Sequence, residues 1–379
     1  MEQTNSINIK EQLINFKFNP KELGVFLLLF FLNFKFAAIT IIQNRSAVID
    51  MLVYILLIIT FNYSNWTYKS LFNTSIIIGI YTLINFSSYK LNVLMPLLII
   101  QSISSIRLKR YLVINFIITG GTLLIMYIIN GEGYNMVGYS FLIDRKIRMS
   151  FGFGHPNAVA LYYYCFIING LILLYFSKYK KRILLYLILI IPLWYYIYSK
   201  TASRSFILSI VLLYFSYFYF YVGEIVNKRN TFKIVGYIFI SLAILFTSIT
   251  VFLAVFSEHF SKLDLILSKR LTSYDAFLDK LTLIDFFFGS EDYKYYVIDS
   301  SYLHLLFEGG IFFFIGFLIF YLYATVNMVN KKEWTPICIV IGFMAYGLME
   351  TSLLFNMLIG TNIFWILLYF YYRRGKMQL

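Results

Sequence analysis

The sequence predicts an all-α, polytopic membrane protein of about twelve transmembrane helices, folded as a single integral membrane domain over residues 1–379. Three observations carry that expectation. Hydrophobic residues make up 60% of the chain and charged residues 13%, more apolar surface than a soluble core of 379 residues can hide. Apolar runs of about 20 residues, the length that crosses a bilayer, recur along the chain. The aromatic share of 21% suits the Tyr and Trp belts of a membrane–water interface.

The spans read in order as 23–43, 47–64, 71–88, 91–106, 111–130, 157–177, 183–199, 204–222, 234–256, 301–327, 334–352 and 354–372. A polar stretch with Lys10, Lys17 and Lys21 precedes the first, and no A-x-A-like cleavage motif follows it. That span is therefore expected to be retained. Most connections are short and polar, and no internal repeat marks a second module. Cys165 and Cys338 both fall in apolar runs, which gives neither a disulfide framework nor metal-ligand spacing. The wealth of Ile, Lys, Asn, Tyr and Phe points to an AT-rich bacterial genome.

The net charge of +14 is read here as membrane topology rather than nucleic-acid binding. With both termini in the cytoplasm, "RLKR" (107–110), "SKYKKR" (177–182) and "YYRRGK" (371–376) fall on the inner side, as the positive-inside rule requires. Two long external connections result, 131–156 and 257–299, the second just before span ten. Long loops in a compact fold tend to carry function. In the second, Leu263, Leu267, Leu271, Tyr274, Leu278 and Leu281 recur every three or four residues. That spacing predicts an amphipathic helix lying on the membrane or capping the bundle.

Spans six, eight and ten then begin at the outer face, at "GHPN" (154–157), "KTASRS" (200–205) and "DSSYLH" (299–304). Pro156 suits the first helical position, and Ser203, Asp299 or Ser300 can cap. Arg204 at a helix N-terminus is unfavourable unless an anion lies close, and such termini bind phosphate. Arg145, Arg148, Arg204 and Arg270 together suggest a site for a phosphate-bearing ligand, because guanidinium grips phosphate at two points. Each has a plainer role open to it: solvation for Arg145 and Arg148, snorkelling for Arg204, and pairing with Asp275 or Glu258 for Arg270. His155 is either an N-cap or a binder, and Glu350 either a counter-ion to an arginine or part of the site. Glu308 serves packing or a polar track. His155, His259 and His304 lack any HExxH-type spacing, so no metal and no cofactor is expected.

"GHPN", "TASRS", the long loop with "SKRL", "DSSYLHLLFEGGIFFF" and "METSLLFNMLIGTNIF", in that order over residues 140 to 370, resemble a Wzy-type O-antigen polymerase of the O-antigen ligase superfamily. The resemblance implies an inverting, metal-independent glycosyltransferase of capsule or exopolysaccharide synthesis. Such an enzyme moves a growing glycan from undecaprenyl diphosphate to the terminal sugar of the next lipid-linked unit, on the outer side of the bacterial cell membrane. It implies Arg204 and Arg270 as the residues that hold the diphosphate, with a lipid surface, a flippase and a chain-length regulator as neighbours. His155, Asn157, Ser203, Ser205, Arg145, Arg148, Tyr302, His304 and Glu350 are the expected binding residues. Family members often carry His-Asn just before this Tyr-Leu; here Asp299 and Ser300 precede Tyr302. The general base stays open between Asp299, His155 and His304. A ligase passing finished polymer to another acceptor fits the same residues. A transporter fits less well, since the polar residues gather on one side and not at the midplane.

Overall fold

The computed structural model describes residues 20–41, 106–130, 148–153, 155–177, 179–226, 229–266, 270–290, 292–296, 298–350 and 362–373, with isolated positions between 52 and 103. All of the predicted span 71–88, most of 47–64 and 91–106, the start of 354–372, most of the connection 131–156, and Arg145 lie outside the described residues.

Every regular element among them is helical. α1 (Pro20–Ile41), α2 (Leu108–Asn130) and α3 (Pro156–Tyr175) lie where spans one, five and six were expected. The predicted span 183–199 is two helices, α4 (Ile183–Leu189) and α5 (Ile191–Thr201), broken at Ile190. Pro192, near the start of α5, explains the break: it lacks an N–H and its ring crowds the preceding turn. α6 (Arg204–Val226) and α7 (Arg229–Val255) follow. Beyond a short stretch at Ser257–Phe260 come α8 (Ser261–Ile266), α9 (Arg270–Leu278) and α10 (Leu283–Phe288). The bundle closes with α11 (Ser301–Asn330), α12 (Trp334–Gly347) and α13 (Asn362–Tyr372).

Five of these units are long and apolar enough to cross a membrane: α2, α3, α4 with α5, α6 and α11. A sixth results if the end of α7 and the segment Ser257–Asp264, bent by 95°, count as one span. Large apolar side chains face outward, among them Ile128, Phe215, Phe218, Ile234 and Ile319, while Asn33, Asn115, Thr119 and Asn169 are buried. A soluble protein distributes these residues the other way. The protein is therefore membrane-embedded, with lipid as the solvent of its outer face.

α3 is the central helix, packed against α2, α5, α6 and α12 and buried over most of its length. α6 packs along α12 at Gly342, where an added Cβ would lie 2.3 Å from the Tyr164 hydroxyl of α3. α11 packs on α7, α10, α12 and α13 and bends at Gly310, whose φ of +74° is a conformation left to glycine.

The single amphipathic helix expected over 263–281 is not formed. α8 and α9 are separate, and the Asp264 carboxylate, itself buried, joins them. It accepts from the backbone N–H of Leu271 (2.7 Å) and Thr272 (3.3 Å) and from the Thr272 hydroxyl (2.5 Å). A carboxylate capping the first turn of α9 competes with a continuous helix, and here it wins. The apolar spacing survives as packing: Leu271, Tyr274 and Phe277 are buried, and Leu263, Leu278 and Leu281 lean on the core.

Candidate functional site

The first turns of α3, α6 and α11 are fastened together by one residue. Glu350 stands beyond α12, which ends at Gly347 and not at the expected 352. Its Oε1 accepts from Asn157 Nδ2 on α3 at 2.6 Å and from Ser205 Oγ on α6 at 3.1 Å. Its backbone carbonyl accepts from Ser301 Oγ at the start of α11. Three helix N-termini thus meet around one residue, two at its carboxylate and one at its backbone carbonyl.

On α3, His155 is the N-cap: its Nδ1 accepts from the Asn157 N–H at 3.2 Å, with Pro156 at the first helical position. That bond places the proton of the neutral ring on Nε2. Although the side chain reaches solvent, the surrounding protein holds the imidazole below its ordinary pKa, and the Arg148 charge adds to this. Asn157 is held from both sides. Its Oδ1 accepts from Arg148 Nη2 at 2.5 Å while its Nδ2 serves Glu350, which fixes the orientation of the amide. Tyr346 donates to the Asn157 carbonyl at 3.3 Å.

Arg148 also donates from Nε to the Thr201 carbonyl at 2.6 Å, and Met149 N–H donates to the Lys200 carbonyl at 2.9 Å. Its cation therefore sits at the C-terminal end of α5, where the helix dipole favours it. This arginine braces the loop before α3 as well as lining the cluster.

Ala202, in the left-handed conformation, turns the chain from α5 into α6. Ser203 Oγ accepts a long bond from the Phe206 N–H (3.5 Å) and lies 3.0 Å from Ser205 Oγ. Arg204 on the first turn is exposed and makes no hydrogen bond or ion pair among the described residues. An unpaired arginine at a helix N-terminus is the unfavourable arrangement that an anion would relieve.

At α11, Arg270 Nη2 is 2.7 Å from Asp299 Oδ2, both half-buried. Neither of the partners considered for Arg270 in the sequence, Asp275 or Glu258, is the one it takes. Two expected catalytic residues are thereby paired with each other. Tyr274 is buried beside them, and burial, with the Asp299 charge adding, pushes its hydroxyl up to about 12. Burial likewise pushes Glu350 up to about 7, with Asp299 adding and Ser205, Arg270 and Arg148 opposing. Ser150 and Ser300, both buried, have hydroxyls with no hydrogen-bond partner among the described residues.

Two expected residues stand apart from this arrangement. Tyr302 is fully buried, and its hydroxyl donates to the Met344 carbonyl at 2.5 Å, a bond that pins α11 to α12. His304, one turn further along, lies with Nδ1 3.0 Å from Oε2 of Glu308, which is 1% exposed. Asp264 and the Gly310 break had not been singled out. The adjacent "EGG" at 308–310 was the available signal, since paired glycines are common sites of helix kinks.

Comparison with known proteins returns nothing: no protein family, no curated protein and no solved structure matches the chain.

Proposed function

We propose that the protein is a polymerase of lipid-linked oligosaccharide repeat units. It transfers a growing glycan from undecaprenyl diphosphate to the terminal sugar hydroxyl of the next unit. In this reading twelve spans leave both termini in the cytoplasm of a bacterium, and the cluster of three N-termini opens to the outside. The observation that carries it is the meeting of α3, α6 and α11 at Glu350 with Arg204 unpaired beside them. The positive ends of the helix dipoles and an unpaired guanidinium favour an anion such as a diphosphate there.

The chemistry follows from those donors. As the glycosidic carbon leaves the diphosphate, negative charge grows on the departing oxygen. Arg204 and the helix N-termini are already in place to receive it. The acceptor hydroxyl attacks from the opposite side and inverts the anomeric centre. Its proton passes to a base. His155 offers Nδ1 only by giving up its capping bond, and Asp299 is engaged by Arg270. An arriving diphosphate competes with Asp299 for Arg270. On this account it frees the carboxylate at the moment a base is needed, which favours Asp299 for that role.

The test is Arg204→Ala in a producing strain. The account expects single-unit lipid-linked glycan to accumulate. Long polymer at normal abundance, with the variant protein present at wild-type level, overturns it. Intact chain length with loss of attachment to the cell would instead identify the ligase.

A further inference from the structure

α10 and the turn that follows it do not simply cover the end of the bundle. Phe287 to Gly289 lie against the bend of α11: a Cβ on Gly310 would fall 2.2 Å from the Phe287 carbonyl oxygen, and one on Gly289 would fall 1.9 Å from that of Glu308. The two backbones therefore touch, through glycines with φ of +86° and +74°. Ser290 N–H donates to the Phe307 carbonyl at 2.7 Å, the acceptor that an unbroken α11 would offer to Ile311. Thr282 and Asp285 close a capping box at the other end of α10, and Gly289 N–H returns to the Asp285 carbonyl at 2.6 Å. The N–H groups of Thr282, Asp285, Phe286, Gly289 and Ser290 all have partners, as immersion in hydrocarbon demands.

Its position along α11 sets its depth. Glu308 to Gly310 stand seven to nine residues beyond Ser301, so roughly 11–14 Å along the helix axis at 1.5 Å per residue. α11 has 30 residues, about 45 Å, and exceeds a hydrocarbon core of about 30 Å by roughly 15 Å. Shared between its ends, that excess still leaves Gly310 several ångströms inside the core. The side chains agree. Leu283 is 74% and Ile284 71% exposed, with Phe286 and Phe287 also open. Phe312 of α11, 58% exposed, contacts Phe287 and Phe288 with ring centres 5.4 and 5.7 Å away. The apolar surface runs on without interruption to Ile315 and Ile319.

We infer that residues 282–290 form a re-entrant element: they enter the membrane from the side on which α11 begins, dock at its Gly310 bend, and present Leu283, Ile284, Phe286 and Phe287 to lipid acyl chains. The inference requires only that α11 crosses the bilayer, and is independent of the enzymatic reading.

The test is a nitroxide label at Ile284→Cys in the full chain, reconstituted in phosphatidylglycerol/phosphatidylethanolamine nanodiscs. Cys165 and Cys338 are buried and are replaced by Ala to leave one thiol. Collision with oxygen, which partitions into lipid, is compared with collision with a water-soluble nickel chelate. Ile319→Cys on the exposed face of α11 and Lys331→Cys in the turn between α11 and α12 serve as references. The element is supported if Ile284 matches Ile319 in favouring oxygen, and overturned if it matches Lys331 in favouring the chelate. Gly310→Ala, which drives a Cβ into the Phe287 carbonyl, is expected to shift Ile284 toward the chelate. An unchanged oxygen preference there would refute docking at the bend.

Discussion

Glu350→Ala removes the fastening between α3 and α6, and its cost can be worked bond by bond. Hydrogen bonds to charged groups contribute about 1.5–3 kcal/mol each, more when the orphaned partner stays buried. Asn157 Nδ2 at 2.6 Å has no second acceptor among the described residues, so its loss should cost the full range. Ser205 can fall back on Ser203, 3.0 Å away, and its loss should cost under about 1 kcal/mol. A double-mutant cycle separates the two. Equilibrium unfolding in mixed micelles of Glu350→Ala, Asn157→Ala and the pair is expected to give a coupling of about 1.5–3 kcal/mol. The corresponding cycle with Ser205→Ala is expected to give less than about 1 kcal/mol. Glu350→Gln keeps an acceptor at Oε1 and is expected to be milder than Glu350→Ala. A coupling between Asn157 and Glu350 below about 0.5 kcal/mol, the scatter of independent sites, would refute the idea that this carboxylate holds the helix ends together.

Three further outcomes follow from the same structure. Glu350 binds its proton more tightly folded, near 7, than at its ordinary value of 4.5, so its contribution to stability is complete below 4.5 and is lost as pH rises toward 7. Melting midpoints measured across that window should fall with rising pH, and Glu350→Gln should flatten the slope. Asp264→Ala removes the cap that starts α9 and is expected to cost about 1 kcal/mol; hydrogen exchange at Leu271 and Thr272 should quicken, and unchanged protection would contradict the cap. Tyr302→Phe deletes the bond to Met344 and is expected to cost about 1 kcal/mol of stability while leaving glycan length as in the wild type; shortened glycan would return Tyr302 to the site.

What was legible in the sequence was local. Pro156 and the polar residue before it announce the start of α3, and Arg204 after Ser203 announces α6; both begin where expected. Among the described residues, the positions of α1, α2, α3, α6, α7 and α11 follow from the length of the apolar runs. What was not legible depended on contacts between distant segments. Arg270 pairs with Asp299, and Glu350 reaches back to Asn157 and Ser205, partners that no spacing rule selects. Asp264 lies inside the apolar spacing of 263–281, and its side chain divides that helix. The Gly310 bend and the segment docked on it escaped because hydropathy registers apolar length without registering where a backbone turns back on itself.

The account rests on Arg204 and the three helix N-termini acting on a lipid diphosphate. The most direct measurement is extension of a purified undecaprenyl-diphosphate-linked repeat unit by the purified protein in liposomes without a transmembrane gradient, resolved by gel as a ladder of chain lengths. The account predicts a ladder from the wild type and a single band from an equally folded Arg204→Ala variant. A single band from both, or the same ladder from both, would contradict it.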